Sequence, residues 1–192
     1  MKTLLISAAL IAAASVAGAT DARMLRAWDV AEDHTRFAFQ AEPVDADGMP
    51  RHGNPFVTRG YVYPLGTLGE GESGVNPDGT PAYPELVLGD WTCDGFLIDE
   101  AMATTTGPFL ISRQTIVLND GAILITQGPE IVDIGVPQIR AVTGSTGTFR
   151  GNDGDVHQTF LGWSEDMGLR ARFVLAAPRF DRDEDLHEIE AD

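Results

Sequence analysis

The sequence predicts an all-β fold, a sandwich or a barrel, and three observations carry that expectation. Short runs rich in β-branched and aromatic residues recur between turn residues, no long segment keeps a helical period, and the last such run, LRARFVL, alternates strictly. Leu169, Ala171, Phe173 and Leu175 share one face of it and Arg170 and Arg172 the other, as in a strand with one side in a core and one in water.

The chain opens MKTLLISAALIAAASVAGAT, in which Lys2 precedes an apolar run over residues 4–16 and Ala17-Gly18-Ala19 forms an A-x-A cleavage site. The run is too short to cross a bilayer and Asp21 and Arg23 follow it, so residues 1–19 read as a signal peptide. The expected destination is secreted or periplasmic, with no membrane anchor. Residues 20–34 read as an N-terminal extension with at most a turn or two of exposed helix, 35–177 as the β domain, and 178–192 as an acidic, disordered or loosely helical tail.

The formal charge is −16, and because Lys2 is the sole lysine its removal with the signal makes the charge −17. A chain this acidic repels nucleic acid and anionic lipid. Its single cysteine, Cys93, forms no intrachain disulfide, so stability must come from burial and sheet pairing.

The expected strands are Arg36–Gln40, Phe56–Tyr63, Glu85–Asp99, Phe109–Leu118, Ala122–Gln127, Ile131–Ile134, Gln138–Val142, Val156–Trp163 and Leu169–Leu175. Asn119-Asp120-Gly121 supplies a hairpin signal between two of them. In the third, Val87, Trp91, Cys93 and Leu97 fall on one face and are expected inside. Residues 64–84, rich in Gly and Pro, read as a long mobile loop placed to act as a lid over one end.

The glycine-rich stretch RAVTGSTGTFRGNDGD, residues 140–155, admits three readings. A phosphate loop needs Lys-Ser/Thr and a following helix, whereas Gly147 is followed by Thr148-Phe149-Arg150 between strands. A calcium site draws on Asn152-Asp153-Gly154-Asp155, with Asp45-Ala46-Asp47-Gly48 and Asn76-Pro77-Asp78-Gly79 alike, but no twelve-residue loop with a closing glutamate is present. The stretch reads best as a corner, with Gly144 and Gly147 easing backbone approach and Phe149 as an apolar anchor.

Hydrolytic and metal motifs are missing: there is no G-x-S-x-G elbow, no His-Glu-x-x-His pair and no cysteine cluster, so neither a metal nor an organic cofactor is expected. The candidate site residues are scattered. His52 and Asn54 stand in a polar loop leading into a strand with Arg59, Tyr61 and Tyr63 on one face, a rim able to orient a carbonyl. Arg113 and Arg140 sit mid-strand and, if inward, would need a carboxylate or a bound anion; for Arg113 the neighbours Phe109, Ile111 and Val117 favour inward. His157 is open to either face. Cys93, Trp91 and Phe173 fill a core as readily as they touch a ligand.

Gly144-Ser145-Thr146-Gly147-Thr148-Phe149-Arg150-Gly151, followed by a strand at Val156, resembles the GGTGxF(R/E)GAxG segment of the allene oxide cyclase and dirigent superfamily. Gln127-Gly128-Pro129 resembles the QGP step of the cyclases, and VHQTFLGW and LRARFVL are similar in placement to the family's last two strands. The resemblance runs over residues 107–176 and more loosely over 85–99. It implies an antiparallel eight-stranded closed barrel with an apolar cavity at one end, often trimeric, so a homo-oligomer, trimer or dimer, is expected.

The family's cyclases fold an unstable fatty-acid epoxide and close a cyclopentenone, with a glutamate on the first strand and a cysteine on a later one. The first expected strand reads Arg36-Phe37-Ala38-Phe39-Gln40 and its nearest following acid, Glu42, comes only by its end, which leaves that glutamate unmatched; Cys93 lies on the right strand, with Gly95 opposite the family's cysteine. The resemblance thus implies a small hydrophobic ligand whose cyclisation or isomerisation the barrel steers; joined to the residue-by-residue reading above, it leaves Cys93, His52 and Arg113 as catalytic candidates and Asn54, Arg59, Tyr61, Trp91 and Phe173 as binding candidates. A lipophile carrier, or a solid barrel acting through its surface, fits the same strands.

Overall fold

A computed structural model describes residues 26–101 and 103–176. The signal peptide and acidic tail expected at 1–19 and 178–192 lie outside the described residues. Nine strands form one sheet: β1 Ala27–Glu32, β2 Ala38–Phe39, β3 Pro55–Pro64, β4 Gly89–Leu97, β5 Pro108–Leu118, β6 Ile123–Ile131, β7 Pro137–Ser145, β8 Asp155–Trp163 and β9 Leu169–Leu175. Their order is β1-β9-β8-β7-β6-β5-β4-β3-β2, and a further β1–β3 pairing closes the ring. All pairings are antiparallel, so β1 and β3 to β9 make an eight-stranded closed barrel and β2 is an additional strand. Among the described residues the regular pieces outside the sheet are three short 3-10 turns, and no described helix is long and apolar enough to cross a membrane.

The first wall of the barrel corrects the expectation for residues 20–34. Ala27–Glu32 is not part of an extension but the strand that closes the ring, with Trp28–Glu32 against Gly60–Pro64 of β3 and Ala27–Ala31 against β9. The chain then leaves the ladder in a 3-10 turn, His34–Arg36, capped by the Asp33 carboxylate, which accepts from the Thr35 N–H at 3.0 Å. It rejoins β3 as β2, with Ala38 opposite Val57 and Phe39 opposite Phe56. The strand expected at 36–40 is therefore the second half of a broken first wall. Closure is tight: a Cβ on Gly60 would lie 2.2 Å from the Ala31 carbonyl oxygen, so any side chain there would prise β1 from β3.

Two other expected strands, Ala122–Gln127 and Ile131–Ile134, are one strand through Ile131, since β6 runs on through Gly128-Pro129. Beyond Gln127 its ladder partner is β5 alone, an edge condition that tolerates a residue without an N–H. The Asp-Gly hairpin stands as expected, with Gly121 at φ +84° and its N–H on the Leu118 carbonyl at 2.8 Å.

The glycine-rich stretch is a corner that plugs one end of the barrel. Gly147, at φ +56°, starts a 3-10 turn so close to the β5–β6 hairpin that a Cβ on it would meet the Ala122 Cβ at 2.8 Å. The turn drives Phe149 wholly inside, 6.1 Å from the Trp28 ring, which stacks on Phe173 at 5.6 Å. Val30, Val62, Ile116, Leu124, Val156 and Leu175 fill the space around them.

Residues 64–84 are not a lid. They form a strap on the outer wall, where Leu68 and Val75 pack with Ala31 and Tyr63 in a second, smaller apolar cluster. Asp29, wholly buried beneath it, accepts from the Gly66 and Leu68 N–H groups at 2.9 and 3.0 Å and from Arg172 Nε at 2.8 Å. Tyr63 OH donates to the Gly74 carbonyl at 2.6 Å, and Arg170 Nη1 donates to the Gly69 and Glu72 carbonyls. Two acidic turns are also structural: Asp45 caps the Asp47 and Met49 N–H groups, and Asp78 caps Thr80.

Candidate functional site

Strand alternation decides what enters the barrel. β1 sends Trp28, Val30 and Glu32 inward, β3 Phe56, Thr58 and Val62, β4 Trp91, Cys93 and Leu97, and β6 Leu124, Thr126 and Glu130. At the end opposite Phe149 these side chains do not meet. They leave a cavity of about 460 Å³. Phe56, Trp91, Leu97, Phe109, Leu110 and Leu169 form its apolar wall, Phe37, Met49, Pro50, Ala101, Trp163 and Met167 its mouth, and Glu32, Thr58, Cys93 and Glu130 its polar surface. Asp47 stands exposed at the rim. The break between β1 and β2 shapes this mouth, because Phe37 in the gap turns back to stack on Phe56 at 5.7 Å.

A hydrogen-bonded layer lies between cavity and packed end. Glu130 Oε1 accepts from Ser112 Oγ, from Gln114 Nε2 at 3.0 Å and from the Cys93 thiol at 3.4 Å, while Oε2 accepts from Gln158 Nε2 at 3.0 Å. Arg140 Nη1 is 3.7 Å from Oε1, and both side chains are essentially unexposed. The guanidinium is saturated: Nε donates to Thr126 Oγ1, Nη1 to the Gly128 and Pro129 carbonyls, and Nη2 to the Ser112 carbonyl and hydroxyl. A buried charge pair with this many partners avoids the penalty of an isolated ion.

Glu32 has fewer partners. Its Oε2 accepts from the Leu169 N–H at 2.7 Å. Burial pushes its carboxyl above the usual carboxylate range and the nearby Glu130 adds to the rise, while the Thr58 hydroxyl and the Leu169 amide oppose it. Cys93 is held as a thiol, its pKa raised well above the ordinary value by burial and then by Glu130, against the pull of Ser112 and Arg140. A thiol so held is a weak hydrogen-bond donor and a poor nucleophile.

The expected site residues part company here. Cys93 and Trp91 line the cavity; Trp91 is 1% exposed, and its Nε1–H finds no partner among the described residues. Phe173 lies at the packed end against Trp28. Asn54 is buried but structural, its amide bridging Gln40 and the Pro43 carbonyl, and His52 is exposed in the same loop with Nδ1 3.0 Å from the Ile98 carbonyl. Arg59 and Tyr61 face outward, Arg59 near Asp90 and Tyr61 donating to the Gly79 carbonyl. Arg113 also points outward, paired with Asp94 at 2.9 Å. The cause is a register shift between Pro108 and Leu110 that buries both Phe109 and Leu110 and reverses the faces after them. Arg140 takes the inward alternative with the carboxylate partner that such a position requires.

Glu32 and Glu130 were not among the sequence candidates. Glu130 follows Gly-Pro, which reads as a strand break, and Glu32 belongs to the stretch read as an extension. The available signal was period two: Trp28, Val30 and Glu32 alternate, and so do Ser112, Gln114 and Ile116.

No family model matches the sequence, and no curated protein matches it. Among solved structures, a pterocarpan synthase dirigent protein shares the fold at TM-score 0.53 and 13% identity, over 77% of this chain and 88% of that one. A pyocyanin demethylase aligns at TM-score 0.47 and 14% identity, over 78% of this chain and 98% of that one. Together with the strand order and the ring closed by β1, the likeness to the dirigent protein shows the fold, a closed antiparallel β-barrel like that protein's.

Proposed function

We propose that the protein is a secreted barrel that takes a small hydrophobic molecule into its open end and steers its cyclisation or isomerisation. The observation that supports this reading is an apolar cavity of about 460 Å³ with two carboxyl groups, Glu32 and Glu130, on its surface. A volume of this order suits a drug-sized molecule, and walls that exclude water restrict a reactive chain to one fold, which supplies proximity and orientation. The carboxyls add acid–base chemistry. Glu32, holding its proton above the ordinary carboxylate range, is suited to give it to an oxygen that develops charge, and Glu130, fixed by its donors, to face the carbon from which a proton leaves. In an isomerisation run this way Glu130 passes the proton it has taken to another carbon of the ligand and the ligand oxygen gives its proton back to Glu32, so both carboxyls end as they began and no cofactor is consumed.

Cys93 serves this reading as an S–H on the cavity wall rather than as a nucleophile. The test is titration of the full chain with the uncharged fluorescent lipophile N-phenyl-1-naphthylamine, then incubation with a panel of epoxides, polyenes and phenols and chiral analysis of the products. Binding with accelerated, stereoselective conversion that Glu32→Gln abolishes while the probe still binds supports it. Binding with every ligand returned unchanged makes the protein a carrier, and no binding removes the cavity reading altogether.

A further inference from the structure

The two methionines among the described residues, Met49 and Met167, both stand at the mouth of the cavity. Met49 is half-buried, whereas Met167 is 48% exposed. Among the described residues Met167 is also the one residue other than glycine at positive φ, +66°. A residue with a Cβ is disfavoured there, so the turn that carries it must be held from outside. Within the turn the Ser164 N–H donates to the Gly168 carbonyl at 2.8 Å, the Met167 N–H to the Ser164 carbonyl at 3.0 Å and the Gly168 N–H to Ser164 Oγ at 2.9 Å. Its far side is fixed to β1, where Glu32 Oε2 accepts from the Leu169 N–H at 2.7 Å and a Cβ on Gly168 would lie 2.7 Å from the Glu32 carbonyl oxygen. The backbone is pinned, and Met167 both lines the cavity and stands in solvent.

A thioether so placed is soft, apolar and flexible, which suits a threshold for apolar ligands, and it is oxidisable. Cys93, the other sulfur of the cavity, does not compete, because it is buried and held as a thiol. The exposed neighbours Glu165 and Asp166 repel anionic oxidants but not a neutral hydroperoxide. Resting on the reading of the open end as a ligand cavity, we propose that Met167 is a modification site at which a hydroperoxide closes the cavity to apolar ligands. The sulfur lone pair forms an S–O bond as the O–O bond breaks, and with hydrogen peroxide the transferred oxygen gives its proton to the departing hydroxide, which leaves as water. The sulfur loses two electrons and the peroxide gains them. The sulfoxide oxygen is a hydrated hydrogen-bond acceptor, and the mouth residues Phe37, Pro50 and Ala101 offer it no side-chain donor. An apolar ligand seated beside it takes away water that nothing replaces, so binding weakens until the sulfoxide is reduced.

The test titrates the full chain with N-phenyl-1-naphthylamine before and after timed exposure to hydrogen peroxide, stopped with catalase, while peptide mass mapping follows oxygen added at each methionine and at Cys93. Met167 is expected to take oxygen severalfold faster than Met49, and probe affinity to fall roughly 10-fold in step with it. Methionine sulfoxide reductases for both epimers should restore the affinity. In Met167→Leu, whatever its starting affinity, the same exposure should change binding by less than about twofold. Where that variant fails to fold, the time course on the unaltered chain decides, since loss of binding that follows another methionine or Cys93 overturns the proposal. Affinity that survives complete oxidation of Met167 also overturns it and leaves the cavity reading intact. A chain that never binds the probe overturns both.

Discussion

The two ends of the barrel are made of the same strands and reach opposite states. At one, Trp28, Phe149 and Phe173 meet in ring contact and nothing is left open; at the other, Trp91, Phe56 and Phe109 stand back around a cavity. Two local features account for the difference. The glycine-rich corner delivers a plug, Phe149, into the first end, whereas the break at residues 33–37 removes part of a wall from the second. Between them the Glu130 carboxylate and the Arg140 guanidinium find their partners within the layer, so neither end has to supply side chains to that charge pair. Emptiness in this fold is thus placed by two loops rather than by a general thinning of the core.

If the layer separates the ends, breaking it should cost most. Glu130→Ala leaves the Arg140 charge and the Ser112, Gln114 and Gln158 donors without their carboxylate, an expected loss of about 5 kcal/mol, with Glu130→Gln clearly milder. Urea unfolding measures both, and equal losses would deny the charge any role. Next in size is Phe149→Ala, expected to cost about 3–5 kcal/mol by opening a void at the packed end. Its affinity for N-phenyl-1-naphthylamine should stay within about twofold of the parent, since the probe sits beyond the polar layer. A stable Phe149→Ala protein with lost binding would break the comparison.

A smaller effect carries a sign. Because the folded Glu32 pKa lies above its unfolded value, the native state keeps a proton that the unfolded chain releases, and stability falls as pH rises from the unfolded value through the folded one. Glu32→Gln should therefore be near neutral in acid and stabilising above the folded pKa. Its amide oxygen can still accept from the Leu169 N–H. Melting temperatures of both proteins from pH 4 to pH 8 give the answer, and curves that stay parallel would remove Glu32 as a buried acid. Smallest is Arg113→Ala. Its pair with Asp94 is solvent-exposed, so the loss should be under about 0.5 kcal/mol with probe binding unchanged.

The sequence made some of this legible. Alternation in β9, the Asp-Gly hairpin and the glycine corner each depend on neighbours within a few residues, and each stands where it was expected, except that the arginine face of β9 lies not in water but under the strap, with Arg170 buried and Arg172 on Asp29. What stayed hidden depends on distant partners. Asp29 and Glu32 look like surface acids until Arg172 and the Leu169 amide, far along the chain, are placed beside them. Arg113 reads inward until one register shift near Pro108 reverses its strand. Cys93 and Trp91 were found because they alternate with Leu97, but the carboxyl that Cys93 meets lies on another strand, after a Gly-Pro pair that reads as a turn.

The seam at β1 also has a consequence for how the chain folds. Strands β3 to β9 join in order, each to its sequence neighbour, but β1 must enter between β3 and β9, setting Ala27 beside Val174. Those contacts span almost the whole domain and carry its largest loop-closure entropy. The ring therefore shuts late, after the final strand is in place. Until then both seam edges and the cavity are open, and that is the interval in which this barrel is most exposed to pairing with a second chain.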